Sequence, residues 1–429
     1  MHLSEREILI GSYKHAAYKA CYWTEQSLRT GGRRQCYKHN FGIKSHQCIQ
    51  STSFRGCNIA CTFCWRDIEE RQYSFQKTDD PDEIAEQLVT TQQRLIEQHL
   101  PFALDNYENM IRVIFALGRE ARALSIPEIS ERASISRMRV KNSLNDLKNA
   151  DVVLEVREAG APTKFLLRKD LVGEASTSHE SSQGIVERLV ASKKDIIDVH
   201  LEAANPKHVA ISYDGEPTMY ERIGELIGEF RQRGLSTFVV TNGTFPERII
   251  RLKDTGNLPT QLYVTLAAPD KETYLKVCSS ARPFFPVNPD HWERLNKTLR
   301  ILSTLDCRTV IRITSVRGVN MIKPQLYRQI VQNASPSFLE VKGFSITGNA
   351  PRISERLGRT TVGYKDPGLL KAALEYAPTH EEMIDFARKI SDDFALFPLI
   401  SQSELNRQVL MGVAWKDSSN VQIDFHSEL

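Results

Sequence analysis

Six of the eight cysteines lie between residues 21 and 64: Cys21, Cys36, Cys48, Cys57, Cys61 and Cys64. A chain of 429 residues can build enough core to fold without disulfides. Thiols crowded this densely read as metal or redox ligands. Cys278 and Cys307 stand alone far downstream and read as small buried hydrophobes. The last three of the group form Cys57-x3-Cys61-x2-Cys64, directly after a strand expected near residues 47–52. Three thiolates hold three irons of a 4Fe–4S cluster and leave the fourth open to an outside ligand. A closed zinc site takes four protein ligands, commonly as two pairs. The odd triplet, with Phe63 and Trp65 beside its last cysteine, fits the cluster better; structural zinc is the alternative.

The first residues, Met1-His2-Leu3-Ser4-Glu5-Arg6-Glu7, lack the basic-then-apolar order of a signal peptide. No apolar stretch is long enough to span a bilayer, so a cytoplasmic protein is expected. The whole chain carries only +3, but residues 1–66 hold ten Lys/Arg against three acids, a local +7. Such a field suits a phosphate-rich partner. A solubilising basic face is the other reading.

Short β-branched runs alternate with amphipathic helices, the pattern of a parallel sheet wrapped by helices. Strands are expected at 47–52, 207–213, 236–242, 261–266, 308–316 and 337–343, and helices at 82–98, 220–233, 271–277, 292–303 and 324–332. Six such units make an α/β fold, a partial (β/α)6, TIM-like barrel whose ligands sit at the C-terminal strand ends. Residues 105–172 interrupt the rhythm. Helical pieces at 106–117, 127–133 and 136–148, then a hairpin about Ala159-Gly160-Ala161-Pro162, give a winged helix-turn-helix pattern. Residues 173–184 read as a polar linker and 352–378 as an irregular loop. The chain thus divides into 1–104 (cluster segment and start of the barrel), 105–172 (insert), 173–184 (linker) and 185–429 (the rest of the barrel with a C-terminal extension).

The triplet resembles that of radical S-adenosylmethionine (SAM) enzymes, which implies a cluster that binds SAM through the open iron, reduces it and yields a 5′-deoxyadenosyl radical. Asp214-Gly215-Glu216-Pro217 resembles that superfamily's Gly-Glu loop, whose carboxylate would suit the SAM ammonium. Thr241-Asn242-Gly243 ends the next strand, also at the catalytic face. Arg312 and Thr314, two apart on one strand, share a face. Turned inward, they could bind a carboxylate, or simply fill a polar layer. Asn320 and Lys342 are weaker candidates of the same type. The SAM-binding set is therefore Phe63, Trp65, Gly215, Glu216, Pro217, Thr241, Asn242, Arg312 and Thr314.

More specific strings follow: Cys61-Thr62-Phe63-Cys64-Trp65-Arg66, Leu258-Pro259-Thr260-Gln261-Leu262-Tyr263 and Phe338-Leu339-Glu340-Val341-Lys342. Together with the Gly-Glu-Pro-Thr and Thr-Asn-Gly-Thr loops they resemble the tRNA 4-demethylwyosine synthase family over residues 12–104 and 185–415. The resemblance implies a second 4Fe–4S cluster on Cys21, Cys36 and Cys48, serving pyruvate. The implied reaction condenses N1-methylguanosine, beside the anticodon of tRNA-Phe, with two carbons of pyruvate. Hydrogen abstraction from the N1-methyl group, addition to the pyruvate carbonyl, loss of the carboxyl carbon and closure on the exocyclic amine would give 4-demethylwyosine. Lys38 matches the family lysine proposed to capture pyruvate as a Schiff base, and nearby positive charge is expected to lower its pKa. A grip on phosphate or on the pyruvate carboxylate is the other reading. Arg29, Arg33, Arg34, Lys38 and Lys44 are candidate contacts to tRNA phosphates, with Asn320 and Lys342 as further substrate contacts.

Two departures stand out. The family pattern has no winged-helix insert; this one carries twelve Lys/Arg against ten acids over residues 105–172 and would bind nucleic acid or protein, or be passive. The loop at 352–378 is also longer than the family's, which bears on recognition of the tRNA or base more than on the radical chemistry. In having no expected flavodoxin-like domain the chain resembles the archaeal type, which implies an external flavodoxin- or ferredoxin-type donor. Two other functions stay open: a radical SAM RNA modifier with another cosubstrate, and a non-enzymatic iron–sulfur regulator that binds DNA through the winged helix.

Overall fold

The computed structural model describes residues 3, 7–68, 75–120, 122–168, 179–278, 288–358, 368–412 and 422. Lys169, the first six residues of the expected linker and 359–367 of the expected loop lie outside them.

Six parallel strands form the heart of one ten-stranded sheet. In chain order the strands are β1 (Glu7–Ile10), β2 (Ala16–Lys19), β3 (Cys48–Thr52), β4 (Leu124–Ser125), β5 (Val153–Val156), β6 (Lys164–Leu167), β7 (His208–Ile211), β8 (Ser236–Thr241), β9 (Gln261–Thr265), β10 (Arg308–Ser315), β11 (Phe338–Gly343), β12 (Leu399–Ser403) and β13 (Gln408–Gly412). The order β3-β7-β8-β9-β10-β11 is parallel throughout, as the rhythm of runs and helices predicts. Alternate residues of these strands face inward. Ala210, Phe238, Tyr263, Val310 and Phe338 form one layer with Phe41, Ile43 and Cys48. The antiparallel hairpins β1-β2 and β12-β13 extend the two edges, which the sequence reading missed.

The insert is built differently from the expectation. The helices read at 82–98 and 106–117 are one 38-residue helix, α2 (Pro81–Gly118), which continues through Pro101. A proline removes one helical hydrogen bond, while apolar side chains are buried on both sides of it, from Ile84 to Leu117. After β4 come α3 (Ile126–Ala133) and α4 (Arg137–Asn149), and a sheet of order β4-β6-β5 covers them. Their core is a separate apolar cluster that also takes in Ile185, Val186, Val190 and Ile196. The insert's packing therefore reaches beyond residue 172. For the same reason residues 179–184 open a helix, His179–Leu189, and are not linker. The expected loop at 352–378 holds two helices, Ile353–Arg356 and Gly368–Leu374. Among the described residues no helix is long and apolar enough to cross a membrane.

Two buried histidines tie α2 to its neighbours. The backbone amide of Asp79 donates to His15 Nε2 (2.8 Å), so Nδ1 carries the proton and donates to the Ser53 carbonyl (2.8 Å). His200 Nδ1 donates to the Ile196 carbonyl (2.6 Å), and its ring stacks on His99 of α2. Burial lowers the pKa of both imidazoles. A histidine held neutral in the fold takes its proton more readily when unfolded. Stability is therefore expected to be full above about pH 6.5 and to fall below it, by up to about 1.4 kcal/mol per pH unit for each group. Urea unfolding at pH 7, 6 and 5 checks this; a flat profile would contradict it.

Candidate functional site

Cys57, Cys61 and Cys64 line a cavity of about 320 Å³ at the C-terminal ends of the barrel strands. The same wall carries Phe63, Trp65, Gly215, Glu216, Thr241, Asn242, Arg312, Thr314 and Lys342. Cys278, set aside by that reading, lines it too. Among the described residues no three His, Cys, Asp or Glu side chains converge tightly enough to hold a single metal ion.

The loop that carries the triad is held by backbone contacts. The Ala60 amide donates to the Cys278 carbonyl (3.1 Å) and the Thr62 amide to that of Val277 (2.8 Å). On the other side the Glu216 amide donates to the Gly56 carbonyl (2.7 Å). Gly215 sits at φ +69°, where a Cβ would come 1.8 Å from the Phe54 carbonyl oxygen. Only glycine fits there. Gly215→Ala is expected to cost about 1–3 kcal/mol from backbone strain alone and to weaken SAM binding with it. Thermal melts and SAM titration check both; a variant matching the parent in both would contradict the close approach.

Glu216 does not offer the free carboxylate expected of it. Oε1 accepts from Thr241 Oγ1 (2.6 Å) and from the Thr218 amide (3.0 Å), and Oε2 from the Asn242 amide (2.7 Å). It is buried and staples the loop after β7 to the end of β8. Pro217 is buried and does not line the cavity. Asn242 lies 3.9 Å from Cys57 Sγ through Nδ2 and donates to Asn58 Oδ1 (2.9 Å). Arg66 bonds Tyr213 Oη (2.6 Å), Asp214 (2.8 Å) and Glu7 (3.1 Å), which fixes the chain just past Cys64.

Deeper in the barrel lies a polar layer. Arg312 pairs with Glu340 and donates to Tyr37 Oη (2.8 Å), with its guanidinium over the Tyr263 ring at 4.6 Å. Glu340 Oε1 is buried without a hydrogen-bond partner among the described residues. Lys342 lies 4.5 Å above the Tyr37 ring and donates to the Asn406 carbonyl (3.1 Å). Burial, with help from Arg312 and Lys38, lowers its amine to about 8. Tyr37 and Glu340 were missed in the sequence, although Glu340 shares a strand face with Lys342 by simple alternation.

Tyr37 leads on to the other cysteines. Lys38 Nζ is 3.9 Å from Cys48 Sγ, and both residues are buried. Cys21 and Cys48 each sense the charge of Cys36, and burial pushes the Cys48 thiol up to about 11. The three belong to one neighbourhood, at the opposite end of β3 from the triad. The expected lowering of Lys38 is not found. Burial alone would lower its amine, but charge on Cys48, Tyr37, Cys36 and Cys21 outweighs burial and the net shift is upward.

Arg29, Arg33, Arg34 and Lys44, four of the basic N-terminal residues, do not line the catalytic mouth. Arg29, on the helix α1 (Tyr22–Arg29), is 2% exposed and pairs with Asp146 of α4 at 2.5 Å. Asn106 also donates to that carboxylate (2.7 Å). Arg33 donates to the carbonyls of Glu187 (2.8 Å) and Arg188 (2.9 Å), Arg34 to that of Asn149, and Lys44 pairs with Glu202 (2.7 Å). Arg34 and Arg33 reach the C-terminal ends of helices, where carbonyls attract cations. These four cations clasp the insert and the helices that follow it; Arg29 has no surface to offer a phosphate. Asn320 is likewise structural: buried, it accepts from the Val316 amide (2.7 Å) and donates to the carbonyls of Ala267 (2.9 Å) and Thr314 (2.8 Å).

Comparison with known proteins agrees with this geometry. Residues 177–330 match the Radical SAM superfamily. The S-adenosyl-L-methionine-dependent tRNA 4-demethylwyosine synthase of Pyrococcus abyssi is 29% identical over 402 residues, covering 93% of this chain and 84% of that protein. The enzyme of the same name from Arabidopsis thaliana is 30% identical over 80% of this chain but only 37% of its own length. A solved structure of TYW1 with a lysine-pyruvate adduct bound shares the fold, with a TM-score of 0.59 at 23% identity, covering 98% of this chain and 96% of that one. Over residues 177–330 the chain matches the Radical SAM superfamily, and over 93% of its length it is similar to a tRNA 4-demethylwyosine synthase.

Proposed function

We propose that the chain is a tRNA 4-demethylwyosine synthase, joining pyruvate to N1-methylguanosine beside the anticodon of tRNA-Phe. The observation that carries this reading is the continuity of the cavity: one wall runs from Cys57, Cys61 and Cys64 to Arg312 and Lys342. Those two residues touch Tyr37, next to Lys38 and the second cysteine set. The names of the relatives add the tRNA substrate and, for one solved structure, a lysine-pyruvate adduct.

On this reading Cys57, Cys61 and Cys64 hold a SAM-binding 4Fe–4S cluster, and Cys21, Cys36 and Cys48 a second one. The first, with SAM bound, would supply a 5′-deoxyadenosyl radical at the mouth. Phe63, Trp65 and Gly215 wall that mouth, with Thr241 and Asn242 opposite, and exclude water. Arg312 and Lys342 receive carboxylate charge in the polar layer, where burial strengthens each contact. Lys38 faces pyruvate from the inner end. As a Schiff base it would condense its amine with the carbonyl and release water. In the second role it would keep its charge and grip the pyruvate carboxylate. The insert reads as a winged helix-turn-helix docked away from the mouth, and an external flavodoxin- or ferredoxin-type donor supplies electrons in the cytoplasm.

Carbon-labelled pyruvate, SAM, a reductant and N1-methylguanosine-containing tRNA-Phe test the reading. Label is expected in the tRNA; its absence, with SAM still cleaved, would favour a modifier with another cosubstrate. Lys38→Ala is expected to lower incorporation at least about a hundred-fold, the lower range for a group acting in the chemical step. Borohydride trapping with mass spectrometry separates its two roles, since only an imine leaves a reduced adduct on residue 38.

A further inference from the structure

One buried guanidinium holds the backbone of the cluster loop from nearly 300 residues away. Arg356 closes the short helix Ile353–Arg356, beyond the last parallel strand, and is 4% exposed. Its Nη1 donates to the carbonyls of Thr62 (3.3 Å) and Cys64, and its Nη2 to that of Arg66 (3.0 Å). The carbonyl between them, on Trp65, accepts from the Asn349 amide (2.8 Å). Gly348 makes that approach possible: at φ +54° a Cβ there would come 2.5 Å from the same oxygen. Four carbonyls around the last cysteine of the triad are thus turned onto one segment, residues 348–356. Ile353 and Ala350 pack in an apolar cluster against Phe63 and Trp65, so the segment is held as firmly as the loop it grips.

The contact is electrostatic as well as mechanical. A guanidinium keeps its charge at every accessible pH and presents its donors as a rigid fork. Reducing an iron–sulfur cluster adds one negative charge, and net charge and hydrogen bonding around it set its potential. A fixed cation bonded to the carbonyl of a ligating cysteine favours the reduced form.

Building on the radical SAM reading above, we propose that Arg356 is a positioning residue for the SAM-binding cluster: it fixes the Thr62–Cys64–Arg66 backbone and raises the cluster's reduction potential. The triad suits a cubane by its chemistry, and the claim concerns this chain's own side chain toward it.

The test is a redox titration of the intact, anaerobically reconstituted chain, following the electron paramagnetic resonance signal that changes on adding SAM. Arg356→Gln, which removes the charge but keeps an amide donor, is expected to shift the midpoint to more negative values. Arg356→Lys, which keeps the charge and loses the fork, is expected to hold the parent's midpoint. A glutamine variant with the parent's midpoint overturns the proposal, as does a lysine variant shifted as far as the glutamine one. Should the glutamine variant fail to fold, the lysine variant decides alone, and any shift from the parent counts against the proposal. A parent with no SAM-sensitive iron signal overturns the radical SAM reading itself, a different result from an unchanged midpoint.

Discussion

Asp146→Ala is expected to lower the unfolding free energy by about 3–5 kcal/mol, the usual cost of stripping one partner from a buried ion pair. Arg29 and Asp146 are each almost fully buried, and they join α1 to α4 across 117 residues of sequence. Removing the carboxylate leaves Arg29 charged and enclosed, with Glu25 at 3.7 Å as the other nearby acid. Asn106 loses its acceptor at the same time. The double replacement Arg29→Met with Asp146→Leu removes both charges and is expected to restore most of the loss, because the pair's own net contribution is small. Urea unfolding of the parent and the two variants checks this. A single-variant loss below about 1 kcal/mol, as for a surface pair, would mean that α4 does not dock on α1. The same damage should reach the second cysteine set, since Cys21 is the residue on which α1 begins. Iron content of the single variant is expected to fall with stability.

Cys57→Ala is expected to reduce SAM cleavage by three orders of magnitude or more, above about 4 kcal/mol of barrier at 1.36 kcal/mol per tenfold. A cubane held by three thiolates has none to lose without changing the geometry of its open iron. Cys57 is also the buried member of the triad, beside Asn242. Cys307→Ala is the control. That thiol lies at the opposite end of β10 from the cavity wall, and its loss should leave the iron count unchanged. Cleavage by the Cys57 variant at the parent's rate would remove the triad from the chemistry.

The parallel strands were legible because a strand buried on both faces is a short run of β-branched and aromatic residues, as in Ser236–Thr241 and Gln261–Thr265. The triad was legible because thiol spacing survives without any knowledge of tertiary contacts. The edge hairpins were not, since Glu7–Ile10 and Leu399–Ser403 are short and mixed in polarity. The single helix Pro81–Gly118 was read as two pieces; proline disfavours a helix interior, but packing on both sides of Pro101 prevails. The largest misreading concerned charge. Counting cations over residues 1–66 finds a field but not its partner. For Arg29 and Arg34 the partners lie on α4, more than a hundred positions away. Glu216 shows the same limit in the site itself. Its residue type suggested a free acceptor, whereas its three bonded neighbours come from two loops that only the folded barrel brings together.

The central claim is that an iron at Cys57, Cys61 and Cys64 keeps a coordination position for SAM. Electron–nuclear double resonance of the reduced full-length chain, with SAM labelled at its amino nitrogen and carboxylate oxygen, measures that contact directly. The account predicts hyperfine coupling from both labels to a cubane, lost in Cys57→Ala. Zinc in place of iron at the triad, or a cubane with no coupling to either label, would contradict it.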